Sequence, residues 1–117
     1  MNIQEFASLL FEIEVNTHIM HLQTTSYAEH KALNDVYEGI VEHRDSFLES
    51  YQGQYGIVKG YKPISIYEGV DCLTYLLSIS TKITKYRDTL TEGYLQQICD
   101  DILELIRSTQ YKIKFLK

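Results

Sequence analysis

All four histidines of the chain fall between Thr17 and Arg44. Three of them, His18, His21 and His30, precede Asn34 and an Asp45-x-x-x-Glu49 pair. Imidazole and carboxylate together form the ligand set for non-haem iron in helical bundles. An α-helix turns about 100° per residue, which sets His21 roughly 60° from the centre of the first apolar stripe and His18 roughly 120° from it. His30 again falls at a stripe edge. Asp45 and Glu49 stack one turn apart, roughly 125° and 165° from the centre of the second stripe. They continue the row Asn34, Glu38, Glu42, so they cannot face the core that Leu33, Ile40 and Phe47 face.

Two readings follow from these directions. One is a solvated acidic helix face, the usual fate of charge rows. The other is a metal site between two subunits, with the His21 and His30 edge from one chain and Asp45 and Glu49 from the partner. A desolvated carboxylate pair needs a cation to offset its repulsion, and Fe(II) would supply it.

Four helices must position these residues. Phe6, Leu10, Ile13, Thr17 and Met20 recur at helical spacing and predict a helix over about 2–23. Ser26 with Glu29 is a capping-box pattern, so a second helix should start near Tyr27. Its stripe is Leu33, Val36, Tyr37, Ile40, the stem of Arg44, Phe47 and Tyr51, closed by Gly53 or Gly56. Mid-helix Gly39 weakens it. A stretch with three glycines and the one proline, Pro63, then divides the chain. Ser65 with Glu68 repeats the capping signal and predicts a third helix over about 66–86, with Tyr67, Val70, Leu73, Leu77 and Ile83 inward. Thr89 or Thr91 opens a fourth, whose stripe is Leu95, Ile98, Ile102, Leu105 and Thr109. The expected fold is all-α: one domain over 1–117, an antiparallel four-helix bundle with a longer link between its halves.

Composition narrows the partners. A formal charge of -5 opposes nucleic-acid binding, which needs a basic surface. No apolar run approaches the roughly 18 residues of a membrane span. The opening MNIQEFASLLFEIEV lacks a basic n-region and is not expected to act as a signal peptide. Cys72 and Cys99 both sit on apolar helix sides and read as buried thiols of a reducing, cytoplasmic compartment. Asp100, Asp101 and Glu104 crowd the fourth helix, but an intramolecular di-iron site would want a Glu-x-x-His motif there, and none occurs. The ten tyrosines suit core edges; Tyr27, Tyr51, Tyr55 and Tyr61 gather near the ends of the second helix.

The segment HLQTTSYAEHKALNDVYEGIVEHRDSFLES resembles the end of the first helix and all of the second in the Dps-type mini-ferritins. The run HLQTTSYAEHKAL and the ending GYLQQICDDILELIRSTQYKIKFLK are similar to short ferritin-like proteins of tailed bacteriophages. The resemblance implies a ferritin-like bundle in the host cytoplasm that binds iron between subunits and oxidises Fe(II). Its ligands would be His21 and His30 with Asp45 and Glu49 of the partner subunit. The interval from His21 to His30 is shorter than in that family, so His18 is an alternative first ligand. Asn34 stands where the family often has aspartate, which should weaken the metal. The short, glycine-rich middle segment leaves no room for an extra helix, so a homodimer is expected before a hollow cage. The rival function is a metal-free helical interaction protein that binds a host factor or a small signalling molecule.

Overall fold

The computed structural model describes residues 1–117 as four helices and no strand. They are α1 (Ile3–Gln23), α2 (Tyr27–Tyr55), α3 (Cys72–Arg87) and α4 (Gly93–Phe115). No helix is long and apolar enough to cross a membrane. Asn2 opens α1 with a full capping box, exchanging hydrogen bonds with Glu5. Ser26 accepts from the Glu29 amide to open α2, and Gly56, at φ 95°, ends it.

Three-residue and five-residue links fold α1 onto α2 and α3 onto α4 as antiparallel pairs. Tyr94 reaches Gln54, and Lys112 pairs with Asp35 at 3.1 Å, so α4 also runs antiparallel to α2. The spatial order around the bundle is therefore α1, α2, α4, α3. Gly39 has its reason here: a Cβ at that position would lie 2.8 Å from Leu105 of α4. Its absence lets the two helices approach.

The core is one cluster running the length of the bundle. At one pole Phe6 stacks on Tyr86 at 4.0 Å and meets Phe47 edge-on at 5.1 Å. At the opposite pole lie the end of α1, the start of α2 and the start of α3.

The third helix departs from the sequence expectation. It starts at Cys72, not near Ile66, and Asp71 rather than Ser65 caps it. Residues 57–71 form a strap along α1 instead. The Lys62 amide donates to Ser8, the Ser65 amide to Glu12, and the Tyr67 amide to Asn16. The Asn16 amide group donates in turn to the Ser65 carbonyl at 2.8 Å. Those bonds consume the backbone groups a helical turn would need. The later start also rotates the inward face. Cys72, Tyr75, Leu76, Ile79, Ile83 and Tyr86 are buried, whereas Tyr67, Val70 and Leu77 are exposed. Likewise α4 begins at Gly93 behind Glu92, and Cys99 and Ile106 replace Ile98 and Leu105 at its centre.

Asn16 is the strap's main anchor, buried and bonded on both sides of its amide. Asn16→Ala should cost about 1–3 kcal/mol, because it leaves two strap groups unpaired. Trypsin cleavage after Lys59 should accelerate several-fold while helical circular dichroism persists. An unchanged cleavage rate would contradict this role for Asn16.

Candidate functional site

The turn 24–26 sets the site. The Thr24 hydroxyl donates to the Glu29 carboxylate at 2.7 Å and accepts from the Ser26 amide at 3.1 Å. This tight reversal puts His21 and His30 face to face, with ring centroids 3.7 Å apart and planes 17° from parallel. Each ring reaches the other residue's backbone. His21 Nδ1 lies 2.6 Å from the His30 carbonyl, and His30 Nδ1 lies 2.8 Å from the His21 carbonyl. A carbonyl can only accept, so both Nδ1 atoms carry the proton and donate. The bond to the His21 carbonyl also satisfies a group that the end of α1 leaves without an intrahelical partner.

The clasp has a chemical consequence. Fixing hydrogen on Nδ1 leaves Nε2 of each ring as a lone-pair donor. Neither Nε2 has a hydrogen-bond partner in the chain, and neither is sealed, since the one sealed, unpartnered side-chain atom is the Tyr75 phenol oxygen. His21 is only 8% exposed and His30 half-buried, so the pair is rigidly held yet reachable.

His18 takes a different place. Its ring is exposed and stacks on Tyr37 at 3.9 Å, nearly parallel. Tyr37 also meets His21 edge-on at 5.1 Å and donates its hydroxyl to Asn34 Oδ1 at 2.6 Å. Asn34 thus positions Tyr37, and Tyr37 braces both His18 and His21. Helical period puts Tyr37 in the core stripe, whereas it is only half-buried and serves the histidines instead. The signal available was its spacing, three residues after Asn34 on one helix face.

Asp45 and Glu49 do not join the histidines within one chain. Asp45 follows His30 by fifteen positions, about 22 Å along α2 at 1.5 Å per residue. Both carboxylates are exposed, as their angular position predicted. Glu49 has no partner, while Asp45 accepts from Arg44 Nε at 3.2 Å. Arg44 is buried, lies over the Phe11 ring and also bridges to Glu14. No group of three or more His, Cys, Asp or Glu residues is gathered for a metal within a single chain.

The remaining candidates are structural. Asp100 pairs with Arg87 at 3.0 Å, and Asp101 accepts from Gln97. Both cysteines are free and buried. Burial, with Glu29 and Asp71 nearby, pushes Cys72 up to about 11. Burial and the Asp100 charge push Cys99 up to about 12.

The site therefore belongs to a four-helix bundle whose α1–α2 corner is locked by paired imidazoles. Residues 21–113, from the first clasp histidine to the end of the α4 stripe, match DUF5856, a family of unknown function, and the chain belongs to that family. No curated protein and no solved structure matches the chain.

Two outcomes check this geometry. Nitrogen-detected NMR of the histidine rings should show His21 and His30 as Nδ1–H tautomers at mildly alkaline pH; Nε2–H tautomers would contradict the clasp. Neither thiol should react with an aromatic disulfide reagent near neutral pH until the protein unfolds, because almost no thiolate forms there. Rapid labelling of the native protein would overturn that.

Proposed function

We propose that this bundle binds iron between two copies of itself and oxidises Fe(II). His21 and His30 of one copy would be the nitrogen ligands, and Asp45 and Glu49 of the other the oxygen ligands. The observation that carries the reading is the clasp. Histidines that ligate metals characteristically donate Nδ1–H to a carbonyl or carboxylate, which fixes the ring and leaves Nε2 for the metal. The outward carboxylates at the far end of α2 suit a two-fold interface, where each copy meets the other's opposite end. The single long crossover between the two hairpins is a connectivity that ferritin-like bundles share. The resemblance to phage-encoded ferritin-like proteins supports a homodimer that works in the host cytoplasm. His18, stacked on Tyr37, serves as a spare imidazole beside the pair. Each bound Fe(II) would give up one electron, with oxygen or peroxide as acceptor; the protein's part is to hold the ligands in place.

One observation favours the metal-free reading. A groove of about 770 Å³ opens at the histidine pole between the start of α2 and the end of α4. Ala32, Ile113 and Leu116 line it, with Lys31, Lys112 and Lys117 and the carboxylates of Glu29 and Asp35 alongside. On the second reading this groove holds a small signalling molecule.

Asp45→Ala/Glu49→Ala changes only exposed side chains and should leave folding intact. Stoichiometric Fe(II) in air should be oxidised saturably by the native protein, followed by ultraviolet absorbance, and at the buffer rate by the double variant. His21→Asn and His30→Asn keep a donor near the Nδ1 position but delete Nε2. Both should fold and lose the activity. A native protein no faster than buffer would remove the iron reading and favour the groove.

A further inference from the structure

The strap and α3 leave a second cleft, which no histidine lines. It measures about 200 Å³ and lies between Glu12 of α1, Tyr67 and Val70 of the strap, and Tyr75, Ile79 and Lys82 of α3. A neighbouring hollow of about 210 Å³ shares Glu12, Tyr67 and Lys82 and continues toward the N-terminus. Opposite charges therefore line one space, yet neither Glu12 nor Lys82 belongs to any ion pair. Glu12 spends Oε1 on the Ser65 amide at 2.8 Å, and its second oxygen has no partner. Tyr75, 5% exposed, also lines this space; its buried phenol oxygen makes no hydrogen bond of good geometry, and the Asn16 side chain stands beside it. A buried donor left unmade costs free energy, and such groups call for a partner.

We propose that the cleft beneath the strap binds a small zwitterion of the α-amino-acid class, its ammonium group against Glu12 and its carboxylate against Lys82. The side chain packs on Val70 and Ile79, and the Tyr75 hydroxyl, sealed while the strap is down, donates to the ligand carboxylate once the strap shifts. Size agrees: the cleft is smaller than the roughly 300–1,000 Å³ of drug-sized sites. Charge also agrees, since a purely anionic or cationic ligand would leave one of the two side chains opposed or unmatched. Burial pushes the Tyr75 phenol up from its ordinary value, so it stays a donor at neutral pH. Entry needs the part of the strap from Ile64 to Val70 to lift, and the hold of that part is polar. Ile64, Ile66 and Val70 all remain substantially exposed, so little apolar burial resists the movement.

The test is a thermal-shift screen of the whole protein against the standard α-amino acids, followed by calorimetric titration of those that shift it. The matching amines and carboxylic acids serve as controls. At least one amino acid with an apolar side chain should raise the melting temperature, and its single-charge analogues should bind about tenfold more weakly or worse, as expected for loss of a charge-assisted hydrogen bond. Lys82→Met removes an exposed charge without touching the strap's anchors and should weaken binding by a similar factor. Tyr75→Phe should fold at least as stably as the native protein and still bind more weakly. No shift with any amino acid, equal binding of a single-charge analogue, or unchanged binding in Lys82→Met overturns the proposal.

Discussion

The geometry of the bundle depends on one span. α2 ends at the pole where Phe6 and Phe47 meet, and α3 begins at the other, beside Met20 and Glu29. Residues 57–71 must cover that distance. An extended chain rises about 3.3 Å per residue, so this stretch reaches about 50 Å, whereas as a helix it would reach only about 22 Å. The molecule is 43 Å long. Only the extended form spans it. The strap then needs partners for its backbone, and α1 supplies them through Ser8, Glu12 and Asn16. Six strap residues, Lys62 to Tyr67, match nine helical residues of α1, Ser8 to Asn16.

Everything on the α3 side follows from that stretch. The strap lies in the seam between α1 and α3, so those two helices pack loosely, while α1–α2 and α2–α4 pack closely. Gly39 tightens the second of those contacts against Leu105. The two ends of the bundle then differ in kind. One is an aromatic cluster of Phe6, Phe47 and Tyr86. The other replaces aromatic carbon with paired imidazoles, which join α1 to α2 by hydrogen bonds rather than by burial alone. A clasp of this kind orders its rings whether or not anything is bound, and that preorganisation is what a ligand set requires.

The sequence made α1, α2 and the turn between them legible because their signals are local. Ser26 is a cap read from its neighbour Glu29, and the stripes from Phe6 to Met20 and from Leu33 to Phe47 have helical period. The start of α3 was not legible, since Ser65 and Glu68 carry a genuine capping pattern that a distant requirement overrides. The length that the strap must cover is set by α2 and α1, not by the strap's own residues. That error moved the inward face from Leu76 to Leu77. In the candidate site, the edge position of His21 and His30 and the outward turn of Asp45 and Glu49 followed from angle alone. The reciprocal bonds to backbone carbonyls did not, because backbone acceptors leave no trace in residue spacing. Nor did the cleft between Glu12 and Lys82, whose walls come from three separate parts of the chain.

On the proposed reading, two copies complete each other's iron site. The decisive measurement mixes His30→Asn protein, which keeps its carboxylates, with Asp45→Ala/Glu49→Ala protein, which keeps its histidines. Each variant alone should bind and oxidise no iron above buffer. After unfolding and refolding together, half of the dimers should be mixed and carry one intact site of two, restoring about a quarter of native iron binding by two-fold symmetry. No recovery in the mixture, with both variants folded and dimeric, would contradict a site shared between copies.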